Sequence, residues 1–410
     1  MNSLIQISII LLVYVVSANT VAQSLSSSPY SMYGIGQYET AGNGKNASMG
    51  EIGIGMFSDE QLNLVNPASL ASLKKETFYF DMGVTLKNSI YYSGGNTESV
   101  TEGNFNRMAI GFKPTNRLGI SIGFLPVTSI GYKIKTQQYI EGTSQTESIS
   151  FNGGGGISKF FVGGGWQLSP AISLGATTSL LFGSIKNSEQ QAMITVAESS
   201  YMRDFYFEGG FQFKEHFNDN MPLTFGLIYG SGKKLSKDNE LKVYGSDGAT
   251  TILEESLPTS YGYLPKYIGI GVYSGYGEKW QFGSDFLFQD WSRNISGVSS
   301  ISFVEVKKLN AGVQYVPSPR NAANMFEQIR YRAGFSIENS YLKIRGQNPL
   351  IYNFTAGFGV PLRGSSMLNL AVAWKYDTMA SRNNSIQTSS INFTLGISFS
   401  ESWFLKRQFD

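Results

Sequence analysis

Thr77-Phe78-Tyr79-Phe80-Asp81-Met82-Gly83-Val84-Thr85-Leu86 decides the fold of this chain. Phe78, Phe80, Met82, Val84 and Leu86 fall on one side of an extended backbone, and Tyr79, Asp81, Gly83 and Thr85 on the other. That period of two defines a strand with one apolar face. The pattern recurs outward from it. Met108, Ile110 and Phe112 oppose Arg107, Ala109 and Gly111, while Leu118, Ile120, Ile122 and Phe124 oppose Gly119, Ser121 and Gly123. Ile172, Leu174 and Ala176 oppose Ser173, Gly175 and Thr177. Near the end, Leu368, Leu370, Val372 and Trp374 oppose Asn369, Ala371, Ala373 and Lys375, and Ile391 to Phe399 repeats the alternation.

Such segments place strands near residues 77–91, 105–113, 118–137, 157–168, 172–187, 200–217, 221–232, 264–275, 279–291, 302–316, 328–342, 350–361, 367–379 and 389–400, an even set of fourteen. Connections alternate between tight turns, such as Pro114-Thr115-Asn116-Arg117 and Ser169-Pro170-Ala171, and longer loops, the longest running from Ser231 to Tyr263. Ser318 to Glu327 breaks that alternation and reads as a longer connection with a helical turn at Asn321 to Phe326. Strands of spanning length that are apolar outside and polar inside describe a transmembrane antiparallel β-barrel. A bilayer accepts such a sheet only when it closes and leaves no edge.

Composition agrees and narrows function. Among 410 residues, 23 Tyr, 28 Phe and 46 Gly favour strands, turns and interfacial aromatics. A formal charge of +2, without a Lys/Arg block, argues against nucleic acid. With no Cys there is no disulfide, Cys-zinc site, catalytic thiol or lipid-attachment cysteine, and any triad or His-ligated metal would depend on the single histidine, His216. Neither paired carboxylates nor a nucleophile with its base stand at usable spacing, so no enzyme, metal or cofactor is expected. Leu4 to Val16 has the length of a signal-peptide apolar region, and Thr20-Val21-Ala22 offers a cleavage site before Gln23. The expected divisions are 1–22 signal peptide, 23–75 N-terminal hatch, 76–400 barrel and 401–410 periplasmic tail, with the mature chain in the outer membrane among its lipids.

The segment 23–75 is rich in Gly, Ser and Asn, and neither period persists in it. It closes on Asn63-Leu64-Val65-Asn66-Pro67-Ala68-Ser69-Leu70-Ala71, where Pro67 pushes Asn66 toward an extended conformation and Asn66 and Ser69 can bond nearby backbone. The barrel's inward face carries Asp81, Arg107, Lys113, Glu208, Asp285, Arg330, Arg332 and Lys375, charges of both signs suited to cross-lumen pairing. Tyr91, Tyr92, Tyr132, Trp166, Tyr229, Tyr267, Trp280, Tyr315 and Tyr376 lie near strand ends, where girdle aromatics are expected. Pro126, in Phe124-Leu125-Pro126-Val127-Thr128, removes a ladder donor in mid-strand and marks a candidate kink.

A Gly-rich N-terminal segment ending at Asn66-Pro67-Ala68 and followed by about fourteen strands resembles the FadL/TodX family of outer-membrane transporters for hydrophobic compounds. Ser28-Pro29-Tyr30-Ser31 and Trp403-Phe404-Leu405-Lys406-Arg407 resemble a Bacteroidota subgroup of it. The resemblance implies a hatch inside the barrel and passive uptake of apolar molecules such as long-chain fatty acids through a lateral opening. Phe57, Leu62, Leu64, Val65, Leu70 and Leu73 are then candidate ligand contacts. The same scaffold also resembles PorV-type barrels, which carry other proteins in secretion or assembly complexes; that alternative implies outer-membrane or periplasmic protein partners and no continuous apolar tunnel.

Overall fold

The computed structural model describes residues 28–39, 42, 44–139, 142, 144–192, 194–218, 221–245, 250–319, 324–362, 366–380 and 385–402. The expected signal peptide, and the tail from Trp403 onward, lie outside the described residues. The barrel strands are β1 (Thr77–Ser93), β2 (Asn96–Phe112), β3 (Leu118–Tyr139), β4 (Thr146–Gln167), β5 (Ile172–Gln191), β6 (Ile194–Asn218) and β7 (Met221–Tyr244). They continue as β8 (Thr251–Tyr276), β9 (Trp280–Asp290), β10 (Val306–Tyr315), β11 (Arg330–Asn339), β12 (Leu350–Pro361), β13 (Met367–Asp377) and β14 (Gln387–Ser402). Each pairs antiparallel with its sequence neighbours, and β14 pairs with β1 from Gln387↔Tyr92 to Ser402↔Thr77, closing a ring of fourteen. Closure removes the free edges that a bilayer cannot solvate.

The faces follow the sequence period. Met82, Val84 and Leu86 are exposed on the outside of β1, whereas Tyr79 and Asp81 are buried inside. Stacked outer aromatics such as Phe354 and Trp374, with centroids 5.7 Å apart, extend the lipid-facing band around the ring. Inside lies the N-terminal segment. Its Met49, Ile52 and Met56 pack with Tyr273 of β8, and its Leu62, Leu70 and Leu73 pack with Tyr79, Ala109, Leu125 and Phe161 of β1 to β4.

The shortest ladder of the ring lies between β2 and β3. β2 pairs with β3 only from Met108↔Phe124 to Phe112↔Ile120, although both strands continue far beyond. Above that level a two-residue strand, Gln37–Tyr38, pairs with Ser129 and Thr128 of β3. The Glu39 N–H donates to Val127 O at 2.9 Å, and the Gly131 N–H donates to the Ser31 hydroxyl at 3.1 Å. The N-terminal segment therefore supplies partners that β2 does not.

Several expectations need correction. The expected loop from Ser231 to Tyr263 is mostly sheet: β7 and β8 continue as a hairpin with Leu241 opposite Glu255. Strands β2, β4 and β6 likewise begin well before residues 105, 157 and 200. At 26 residues β8 is more than twice the about 9–11 needed to cross a bilayer. Beyond the lipid, water touches both faces, so no apolar alternation marks these extensions. The segment 302–316 is split into Ile301–Phe303, paired with Leu342–Ile344, and β10. The last strand runs to Ser402 instead of ending at 400, and the exceptional connection carries a single helical turn at Met325–Gln328. Tyr91, Tyr132 and Tyr267 are buried in the interior and not in a girdle. Tyr91 and Tyr267 share the parity of inward Asp81 and Tyr273, and a register shift between Pro126 and Thr128 turns Tyr132 inward.

Close approach between plug and wall depends on small residues. A Cβ on Gly175 of β5 would stand 2.3 Å from Ala68 N and from Pro67 C, whereas one on Gly154 of β4 would meet nothing within 4 Å. Gly175→Ala is expected to weaken seating of the segment by about 1–3 kcal/mol, as overpacking does. Faster proteolysis of folded barrels between residues 28 and 75 would reveal it, with Gly154→Ala unchanged.

Candidate functional site

The interior is built from the N-terminal segment outward. Pro67 begins a 3₁₀ helix, Pro67–Ser72, capped by Asn66, whose Oδ1 accepts from Ala68 N at 3.0 Å. Its Nδ2 donates to Ile54 O at 2.8 Å and to Phe211 O of β6 at 3.1 Å. Asn66 thus joins the cap, the segment and the wall with one buried amide. Ser69 Oγ donates to Asn66 O at 2.7 Å and to Asn63 O at 2.9 Å, which tightens the same turn.

The segment is also held by charge. Glu51 has φ 67°, an uncommon conformation for a residue with a Cβ. Its carboxylate meets Lys308 of β10 at 2.6 Å and Lys375 of β13 at 3.1 Å, and Lys308 also meets Glu338 of β11 at 3.4 Å. Burial pushes the Glu51 carboxyl up, but Lys308 and Lys375 together outweigh it and hold the group well below the usual carboxylate range. Asp285 of β9 accepts from Gly53 N at 2.6 Å and Ile54 N at 2.9 Å. Arg107 bonds Asp81 at 2.7 Å within the wall and donates to Leu62 O at 3.3 Å, and Arg330 bonds Glu60 at 2.6 Å. Lys113 donates to Ala71 O at 2.6 Å, and Glu208 meets Lys159 at 2.5 Å and accepts from Tyr267 at 2.7 Å. Arg332 bonds Gln314 and Asn369.

The expected contact residues do not share one chamber. Leu64 and Val65 line a cavity of about 130 Å³ together with Leu125, Pro126 and Val127, beside the register shift at Pro126. Leu70 joins Leu64, Val65 and Leu125 around a smaller void of about 20 Å³, and Leu62 borders one of about 10 Å³. Phe57 instead packs edge-on against Tyr273 at 5.8 Å under Lys214. The 130 Å³ cavity also carries Glu51, Lys159, Glu208, Asp285 and Lys308. A second cavity of about 300 Å³ is lined by Lys87, Asn104, Glu338 and Asp377 among others. Sequence reasoning missed Glu51, Glu60 and Lys45, which lie in a segment without period, and Lys308. The signal for Lys308 was its parity with Asn310 and Gln314 along β10. No cluster of three metal-ligating side chains occurs among the described residues, and the side chain of His216 lies outside them.

A closed ring of fourteen strands, apolar outside and filled by its own N-terminal segment, defines an outer-membrane β-barrel of FadL-like fold. Solved structures share it. A Pseudomonas aeruginosa FadL homologue aligns with a TM-score of 0.60 at 12% identity, over 90% of this chain and 99% of that one. The Pseudomonas putida toluene transporter TodX gives 0.58 at 14%, over 90% and 100%, and the Ralstonia pickettii toluene transporter TbuX 0.56 at 10%, over 88% and 98%. No curated protein matches the sequence. The family model described as BamG matches residues 4–410, and the chain belongs to the BamG family.

Glu51→Gln leaves the buried Lys308, which keeps only Glu338, and the half-buried Lys375 short of an anion, and is expected to weaken seating of the segment by about 2–3 kcal/mol. Because the folded carboxyl titrates below its unfolded value, its stabilisation is complete above roughly pH 5 and fades as pH falls through the folded value. Urea unfolding of refolded barrels between pH 3 and pH 7 should therefore show a pH slope in the natural chain that Glu51→Gln reduces. Asn66→Ala, which removes a cap and two buried bonds, should cost about 2–4 kcal/mol in the same assay with little change of slope.

Proposed function

We propose that this protein is a non-transporting barrel subunit of an outer-membrane protein assembly or secretion complex. The observation that carries this reading is the charged filling of the lumen. Glu51, Lys308, Lys375 and Glu338 form one connected ion cluster, and Asp285 binds the backbone of the segment beside it. An apolar solute crossing that layer would displace paired charges without replacing their partners, which is costly in a low-dielectric interior. Membership of the BamG family supports the same reading. The extended hairpins of β4 to β8 and the outer wall then supply surface for protein partners.

A second reading, passive uptake of hydrophobic small molecules such as long-chain fatty acids, is favoured by one feature. The 130 Å³ cavity with Leu64, Val65 and Leu125 lies beside Pro126, next to the seam where β2 and β3 part. The solved structures of similar fold include a monoaromatic hydrocarbon channel and toluene transporters.

Gentle detergent extraction of the native protein, with mass spectrometry of proteins and lipids together, separates the two. The expected result is a stoichiometric outer-membrane or periplasmic protein partner without selective enrichment of an apolar ligand. A lone barrel enriched in fatty acids or hydrocarbons would overturn the assembly reading, and loss of that enrichment in Leu64→Glu would establish the cavity as its site.

A further inference from the structure

The ladder between β6 and β7 is interrupted partway up the wall: Met202 pairs with Lys237 and Glu208 with Gly230, and the residues between them face one another unpaired. At that level Gly232 takes φ 67° and stands opposite Pro265 of β8, since Ser231 pairs with Lys266 and Lys233 with Leu264. The outward side changes parity there on both strands. Tyr229 and Ile268 face out below it, whereas above it Leu235 and Leu264 are buried while Lys234 and Tyr261 face out. Continuing the lower parity would have turned Lys234 to the lumen and Leu235 to the outside.

Three outward cations surround the break. Arg203 of β6 lies opposite the exposed Phe182 of β5, Lys266 comes two residues above Ile268 on β8, and Lys234 lies on β7 between them. Lys234 Nζ stands 3.5 Å from the centre of the Tyr261 ring, and Lys266 Nζ 5.6 Å from that of Tyr229. All three cations are exposed, and none forms an ion pair among the described residues. The neighbouring acids are engaged elsewhere or stand apart. Asp204 bonds Lys233 at 2.7 Å, and Asp290, opposite Lys266, accepts from Ser292 N at 3.1 Å and Oγ at 2.6 Å. Asp238 lies farther up, opposite Tyr201. Directly below the cations the wall is apolar and exposed, with Phe205 and Phe207 each about 60% accessible. On β13, β14, β1 and β2 the outward apolar runs end instead on Tyr376, Ser389, Asn88 and Thr101, none of them charged.

We propose that Arg203, Lys234 and Lys266 form a docking site for the phosphate-bearing headgroup of an outer-leaflet glycolipid, whose acyl chains lie down the apolar wall beneath. Tight turns at residues 113–117 and 168–171 mark one rim and the extended hairpins of β4 to β8 the other, so the cations sit toward the outer leaflet. Cations at the upper end of an apolar face meet lipid where its chains give way to charged headgroups. Lys234 and Lys266 are three residues, about 10 Å, apart along paired strands, a span that two lysine side chains can bridge toward one phosphorylated sugar headgroup. A guanidinium adds a second, forked set of donors for phosphate oxygens.

The full chain in neutral detergent, titrated with diphosphorylated lipid A, with the same glycolipid freed of phosphate, and with phosphatidylglycerol, tests the site by native mass spectrometry of bound lipid. Diphosphorylated lipid A is expected to bind tighter than either of the others by about tenfold or more. The triple variant Arg203→Gln, Lys234→Gln, Lys266→Gln should lose roughly fivefold in affinity per cation removed. It should keep the Tm of the natural chain, because the substituted side chains are exposed. Lys343→Gln, an exposed position in the connection between β11 and β12, should bind as the natural chain does. Equal affinity for the phosphorylated and dephosphorylated glycolipid, or a folded triple variant that binds lipid A undiminished, would overturn the proposal. Equal affinity for phosphatidylglycerol would overturn the glycolipid as occupant.

Discussion

Hydrocarbon offers no hydrogen bonds, so every backbone N–H and C=O at that depth must be satisfied within the protein. This constraint fixes the ring: β14 runs alongside β1 over sixteen residue pairs, and the wall has no end within the bilayer. It also explains why the shortest seam, between β2 and β3, carries a substitute. Where β3 leaves β2, its backbone at Val127 to Gly131 is met from inside by Glu39, Gln37–Tyr38 and the Ser31 hydroxyl. The N-terminal segment is therefore part of the wall as well as its filling.

Filling a barrel of this size imposes a second constraint. Fourteen inward faces cannot meet across the axis, and the space is closed by a segment whose backbone runs against the wall. Close approach requires wall residues without side chains, as at Gly175, and segment groups that satisfy strand carbonyls, as Asn66 does for Phe211. Charge is tolerated there because it is paired. The ion contacts tie the segment to β10, β11 and β13, strands more than 250 residues away in sequence, so its seating depends on the complete ring.

What the sequence discloses follows from which solvent each residue meets. Within the lipid band one face must be apolar, so Phe78 to Leu86 and Ile391 to Phe399 were legible as strands with the correct sides. Above it both faces of β7 and β8 are wet, and a hydrogen-bonded hairpin reads as a loop. Tyr132 was misplaced because a bulge at Pro126 shifts the parity that carries the inference. Inward charges such as Asp81, Arg107 and Arg332 were visible through parity, but their partners were not: Glu51 and Lys45 lie in a segment whose conformation is set by the wall and not by local periodicity. The turn at Asn66-Pro67-Ala68 was legible because its capping chemistry is local, whereas its contacts with Ile54 and Phe211 belong to the assembled barrel.

The fold is shared with hydrocarbon transporters at 10–14% identity, a level at which architecture persists while site chemistry changes. What distinguishes members of such a group is the interior. An interior serving apolar ligands needs a continuous apolar path, because each paired charge along the way must be left in place or opened at a cost of several kcal/mol. Here Leu64, Val65 and Leu70 share one small void while Leu62 and Phe57 lie apart from it, and the 130 Å³ cavity that Leu64 and Val65 also line is bordered by ion pairs. Charges that brace the N-terminal segment against six strands favour a rigid interior over a gated one. A rigid interior shifts the burden of recognition to the outside, where the barrel presents extended hairpins and an aromatic wall. The proposal of a protein-binding subunit therefore follows from the same interactions that hold the fold together.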